Sequence, residues 1–469
     1  MPAETASKRR RAAGRGAELD AGPLALFGWV LFDWATQPFY TLVVTFLFAP
    51  YFVNGFIGDP ALGSTLWAYA TGAAELIAAL LAPVLGAIAD AGLARKPWIA
   101  GFSVLLVLGL CGLWLAIPGR TDLAPLVLIS FGLATIGAEL ATVFNNALMP
   151  GLVSARRLGT LSGIGWATGY VGGLVSLALI AGLIVADPST GKTLLGLQPI
   201  IPLDPATREG DRLIGPFSAL WYLIFVLPLF LFTSDRPAKS RPSAPVKAGL
   251  AQLARGAKDL YRHHRQIALF LLARVLYADG LGAVFAFGGI YAASVFGWRA
   301  SELGLFGIIL TIAGTVGASF GGVLDDRLGS KRVIVCMLCL FILAAIGVLS
   351  VDGDHVLFLL PVEPRLPGSG PFASPGEQVY LAFAILIGVA SGPIQSSSRT
   401  LLARLCPADK TTEFFGFFSF SGKITAFAAP LAIGAITAAT GSQRLGIATS
   451  LVFLLAGLAL LQRVKPPAG

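Results

Sequence analysis

Five ionisable residues of this chain stand inside long apolar stretches: Asp33, Glu75, Glu139, Asp279 and Lys423. Charge is costly in such surroundings, so each marks a candidate site for ion pairing, proton transfer or solute binding. Asp33 is followed at steps of four by Gln37, Thr41 and Thr45, which on a helix makes one polar stripe facing protein or water. Glu139 heads a second stripe with Thr142 and Asn146, three and seven residues on. Lys423 lies too deep in its stretch for its stem to reach the surface. A buried lysine needs a carboxylate or loses its proton, and Asp279 or Glu413 is the expected partner. Gln395 and Arg399 share a polar block downstream, where Arg399 serves either an inner gate, paired with a loop carboxylate, or a bound solute.

Other chemistries lack their residues. No Walker sequence is present, and no Ser-His-acid set stands out. His263 and His264 sit in a basic stretch and His355 stands apart, without metal-ligand spacing, so neither metal nor cofactor is expected. Gly165, Gly169 and Gly173 form a small helix face suited to close packing, not a nucleotide loop. Cys336 and Cys339 lie in an apolar run, where packing is expected over redox work.

The elements that hold these residues follow from composition. Of 469 residues, 55% are hydrophobic and 13% charged, about half the charge of a soluble domain. That excludes a cytosolic enzyme, a secreted scaffold and a disordered chain. Crossing a core of about 30 Å takes around 20 helical residues. On that ruler twelve spans are expected: 24–52, 63–89, 98–117, 123–149, 159–185, 215–233, 267–296, 302–324, 333–351, 378–403, 412–439 and 445–462. The fold class is all-α integral membrane, two six-helix halves. The segments are a basic tail (1–23), a first half (24–233), a linker (234–266) with an amphipathic helix, a second half (267–463) and a short tail (464–469).

Of the 34 Lys and Arg residues, 25 fall in segments on one side of this layout, seven in loops on the other, and Arg274 and Lys423 within helices. The positive-inside rule then places both termini in the cytoplasm, and the distribution excludes a nucleic-acid binder. The halves also repeat. Gly86-x-x-x-Asp90 and Gly322-x-x-x-Asp326 are each followed by a basic pair, Arg95-Lys96 and Lys331-Arg332, between the second and third helix of a half. Gly86, Asp90, Gly322, Asp326, Arg327 and Arg399 are the candidate gate residues. Duplicated halves joined by a linker are the sequence form of a transporter that rocks about a central site.

This layout resembles the major facilitator superfamily. Within it the chain is similar to the vacuole effluxer branch, the autophagy-related protein 22 family and its bacterial relatives. The matching pieces are WVLFDWATQPFYTLVVTFLFAPYF (29–52), FNNALMPGL (144–152), LSGIGWATGYVGG (161–173), LYADG (276–280) and GPIQSSSRTLLARLCPADKTTEFFGFFSFSGKITAFAAPL (392–431). The resemblance implies secondary transport of a small organic solute, neutral amino acids first, by a monomer without enzymatic activity. Coupling to protons is expected at Asp33 or Glu139. The alternatives are an exporter of amphipathic compounds or a lipid flippase, and a receptor that no longer transports. The expected location is a prokaryotic inner membrane, or a vacuolar membrane in a eukaryote.

Overall fold

Among the described residues, eleven helices are long and apolar enough to cross a bilayer, and a twelfth crossing is made in two pieces. This computed structural model describes residues 20–91, 94–186, 190–235, 249–366 and 369–465. The first half comprises α1 (Pro23–Ile57), α2 (Pro60–Asp90), α3 (Lys96–Leu115), α4 (Ala124–Leu148), α5 (Leu158–Ile184) and α6 (Glu209–Phe232). The linker carries α7 (Gly249–His263). The second half comprises α8 (Arg265–Phe296), α9 (Ala300–Leu328), α10 (Ser330–Leu349), α11 (Pro375–Leu405), α12 (Thr411–Ser421), α13 (Ala428–Thr440) and α14 (Gln443–Gln462). A small hairpin, β1 (His355–Val356) and β2 (Leu360–Pro361), follows α10. An even number of crossings puts Asp20 and Lys465, the first and last described residues, on one side, called here the terminal side. The basic residues of the N-terminal tail, and Arg236, Lys239, Arg241 and Lys247 of the linker, lie outside the described residues.

Burial is inverted relative to a water-soluble fold. Leu76, Val104, Ile129, Leu220, Phe320 and Leu343 are exposed on the helix bundle's outer surface, as a lipid-facing surface requires. The interior holds Trp29, Phe32, Tyr222, Tyr277 and Tyr380, all fully buried. Cys336 and Cys339 are free and exposed on α10, so they face outward rather than packing inside as expected.

Three local departures from straight helices shape the centre. The span expected over 24–52 runs on to Ile57, and Pro38 introduces a stretch of wider π-helical turns over Phe39–Phe46. Proline removes one backbone donor and clashes with the preceding turn, and π turns shift the side-chain register. The expected stripe therefore ends early: Thr45 is exposed and donates to the Tyr40 carbonyl, 2.8 Å away. Residues 53–62, which the expected spans leave between them, are mostly helical. Only Gly58 and Asp59 separate α1 from α2, with Gly58 at φ +76° and Asp59 accepting from the Ala61 and Leu62 N–H groups.

The third departure is the crossing expected over 412–439, which is broken at Gly422–Phe427. Pro430 has no N–H to give to the Ala426 carbonyl, so it is tolerated only in the first turn of a new helix. Lys423 stands in this break.

Across the halves, α2 packs along α12 and α5 along α9. Glycines set these approaches. A Cβ at Gly163 would meet the Ala318 carbonyl at 2.5 Å, and one at Gly86 would meet the Thr412 carbonyl at 2.5 Å.

Candidate functional site: a charged cavity between the halves

Between the halves lies a cavity of about 400 Å³, lined from α1, α4 and α5 on one side and from α8, α11 and the broken α12–α13 crossing on the other. Of the residues singled out in the sequence, Asp33, Gln37, Glu139, Asn146, Gln395, Arg399 and Lys423 all line it. Two ion pairs cross it from half to half. Arg399 Nη1 lies 3.2 Å from Asp33 Oδ2. Lys423 Nζ lies 3.1 Å from Glu75 Oε1 and 3.2 Å from Glu139 Oε1.

Each pair is supported by neighbours. Arg399 also donates to Ser162 Oγ (2.9 Å), the Ser162 carbonyl (2.7 Å) and Asn146 Oδ1 (3.0 Å), and its guanidinium lies over the Trp29 ring. Thus Arg399 stands in the central cavity and pairs with a helix carboxylate, not with a loop acid. It leaves the terminal-side count of basic residues and joins Arg274 and Lys423 within the spans. Glu139 accepts from the Tyr40 hydroxyl at 3.1 Å. The partners expected for Lys423, Asp279 and Glu413, are not the ones found. Glu413 lies a helix away towards the terminal side, where its backbone N–H donates to Asp90.

Space for these pairs is made by the α5 glycines. A Cβ on Gly165 would meet Asp33 Oδ2 at 2.7 Å and Arg399 Nη2 at 3.0 Å, and one on Gly169 would reach Asp33 and Gln37 at 3.4 Å. The small face thus packs on α1 as its spacing implies, and it also clears room for a salt bridge. Asp279 is apart from this group. It is buried outside the cavity lining, and both carboxylate oxygens are without a hydrogen-bond partner among the described residues.

The repeated loop motifs form two latches on the terminal side. Asp90 Oδ1 accepts from Thr412 Oγ1 (2.7 Å) and Arg95 (3.2 Å), and Oδ2 accepts from the Glu413 N–H (2.9 Å). In the second half, Asp326 accepts from the Gly159 and Thr160 N–H groups at 2.7 Å, at the N-terminus of α5. Carboxylates suit that position, where unpaired amides and the helix dipole meet. Gly322 packs against the Gly159 carbonyl. Arg404 bridges Asp325 and Asp326 and donates to the Ala155 carbonyl of the other half. Arg327 takes no part: it is exposed and makes no hydrogen bond or ion pair among the described residues.

Among the described residues, every hydrogen bond and ion pair between the halves lies at mid-membrane or on the terminal side. On the opposite side the halves meet where the Phe46 ring lies against Gly307. Arg404, Ser162, Tyr40 and Trp166 were not singled out in the sequence reading, and Arg95 was read there only as half of a basic pair. Arg274, which also lines the cavity, was visible there only as a cation within a span, the signal that singled out Lys423.

A two-fold set of six helices around a central cavity, latched on one side, defines a major facilitator transporter. The solved structures agree on the fold. The proton-coupled fucose symporter FucP of E. coli, in its outward conformation, superposes with a TM-score of 0.70 over 94% of this chain and 98% of its own, at 14% identity. The human organic anion transporter MFSD10 gives a TM-score of 0.69 at 13% identity, covering 94% of this chain and 98% of its own.

Residues 154–469 match the family described as "Vacuole effluxer Atg22 like", and the chain belongs to it. The uncharacterized MFS-type transporter YxiO of Bacillus subtilis is 24% identical over 92% of this chain and 93% of its own. Autophagy-related protein 22-1 of Neosartorya fischeri is 26% identical over 65% of this chain. The chain spans about half the length of the fungal relatives it matches. It is therefore a multi-pass membrane transporter, not an enzyme.

Proposed function

We propose that this protein is a secondary active transporter that carries a small organic solute, neutral amino acids first, by alternating access coupled to protons. The observation that carries the reading is the pair of salt bridges spanning the cavity, Asp33–Arg399 and Glu139–Lys423. Each joins one half to the other at mid-membrane, so rocking the halves apart there must break or exchange them. Protonating a carboxylate removes the Coulomb attraction that holds its pair, which links a proton to the motion. A cavity of about 400 Å³ suits a small solute, and charged groups of both signs suit a zwitterion. An exporter of amphipathic compounds needs a wider chamber without charged groups, and the five charged side chains lining this one favour the first reading.

The basic-residue bias supports placing the terminal side in the cytoplasm. The latched state then faces outward, and the host membrane is a prokaryotic plasma membrane or a eukaryotic vacuole. The halves 24–233 and 267–463 act as the two rocking bodies in a single monomer, with 234–266 as their tether. Asp90 and Asp326 act as gate residues that release when the cavity opens inward.

The test is flux into proteoliposomes holding the purified protein, screened over amino acids with and without an imposed pH gradient. The proposal predicts uptake of at least one neutral amino acid that the gradient accelerates. No gradient-dependent flux of any amino acid would overturn it.

A further inference from the structure

We propose that Arg274 binds the anionic end of the solute, and that the Glu139–Lys423–Glu75 cluster binds its cationic end. The assignment rests on the transporter reading above and gives its site a polarity. The cavity holds three cations, and they are not equally neutralised. Arg399 has Asp33, and Lys423 has two carboxylates, Glu75 and Glu139. Arg274 has no carboxylate at salt-bridge distance among the described residues, although its side chain is nine-tenths buried and lines the cavity.

Its hydrogen bonds are incomplete too. Nη1 donates to the Phe418 carbonyl (2.6 Å) and to Ser421 Oγ (3.0 Å), while buried Nε has no partner. The guanidinium is seated 3.5 Å over the Phe418 ring and lies against Gly422, where a Cβ would meet Nη1 at 2.7 Å. These contacts fix its plane at the last turn of α12 without neutralising its charge. A fixed, desolvated guanidinium with a free donor is built to take a carboxylate.

The imbalance has a counterpart. Two carboxylates share the single ammonium of Lys423, which leaves one excess negative charge at Glu75 and Glu139. Together the six groups sum to zero, yet the charge is separated into a positive pole at Arg274 and a negative pole at the lysine cluster. A neutral solute with no dipole gains nothing from that separation. A purely anionic or cationic solute leaves one pole unmatched. A zwitterion with an α-carboxylate and an ammonium matches both, each of its charges meeting one of opposite sign. Both poles sit on or beside the broken crossing, so a turn of its unwound segment would move them together.

The experiment is thermal-shift titration of the full-length detergent-purified protein with three probes that share one branched tail. These are leucine, 4-methylpentanoate, which lacks the ammonium, and 3-methylbutylamine, which lacks the carboxylate. Arg274→Gln should weaken leucine and 4-methylpentanoate about tenfold, the loss of one charge-assisted hydrogen bond, and leave the amine unchanged. Glu139→Gln should weaken leucine and the amine and leave 4-methylpentanoate unchanged. Arg274→Lys, which keeps the charge and loses the fork, should be intermediate, and it serves if the Gln variant does not fold.

Equal weakening of both half-probes by either Gln variant would show a merely structural role and overturn the assignment. Wild-type protein that binds neither half-probe would overturn it as well. A failure of the transporter reading looks different: the crossed pattern of binding would persist in a protein that moves no solute in proteoliposomes.

Discussion

Removing Arg399 should be far more damaging than removing Asp33, although the two form one salt bridge. Arg399→Gln takes away the one side-chain partner that the mostly buried Asp33 carboxylate has among the described residues, 3.2 Å away. Breaking a buried pair so that one charge stays uncompensated costs about 3–5 kcal/mol. Asp33→Asn, by contrast, leaves Arg399 with two acceptors from Ser162, a third from Asn146 Oδ1 and the Trp29 ring. It loses one hydrogen bond between charged groups, worth about 1.5–3 kcal/mol. The double variant should recover part of the Arg399→Gln loss, because no carboxylate is left stranded. Unfolding of the four proteins in one detergent, followed by tryptophan fluorescence against temperature and denaturant, measures this cycle. Equal losses in the two single variants, or losses that simply add in the double, would refute the argument that the pair is an isolated buried bridge.

Gly165→Ala should destabilise the protein by about 1–3 kcal/mol, since its Cβ intrudes on Asp33 and Arg399. Gly101→Ala on α3, where a Cβ meets nothing within 4 Å, is the matched control and should be neutral or stabilising. Asp326→Asn removes a charge from the α5 N-terminus and from Arg404. It should raise thiol labelling of a cysteine placed at Thr160 and slow turnover without unfolding, and unchanged labelling would show that the latch does not hold the halves. The Asp259–Lys410 bridge (2.6 Å) ties α7 to the loop before α12. The hydrogen bond from Lys410 holds the Asp259 carboxyl below its usual value, and the same bond raises the Lys410 ammonium. The tether is therefore present at neutral pH, lost as pH falls through the lowered carboxyl value, and lost again as pH rises beyond the lysine's raised one. Hydrogen exchange of α7 should be flat from about pH 5 to 9, after correction for intrinsic rates, and Asp259→Asn should raise it throughout.

The crossings and the duplicated latches were legible because hydropathy and the Gly-x-x-x-Asp spacing are local signals. So was the presence of Asp33, Glu139 and Lys423 near the centre, since charge in an apolar run has few other uses, whereas Arg399 was left between gate and solute. Their pairing was not legible. Asp33 and Arg399 are separated by 366 positions and Lys423 and Glu75 by 348, and nothing in either local sequence names the other. The same is true of Arg404, which takes the role that neighbouring Arg327 was expected to fill. The break at Gly422–Phe427 hid behind apolar composition, although Pro430 gave its position. Proline also marked the π turns in α1, which end the Asp33 stripe before Thr45.

The most direct test of the account compares two modes of solute movement in the same vesicles holding Asp33→Asn. Exchange of labelled for unlabelled solute requires binding and rocking, whereas accumulation against a gradient also requires a proton to be carried. The account predicts that the variant, fixed in the protonated form of the side chain, retains exchange and loses accumulation driven by a pH gradient. Asp33→Glu, which keeps the acid one methylene further out, should retain part of both. Full gradient-driven accumulation by Asp33→Asn would contradict the account at its centre and move the coupling proton to Glu139.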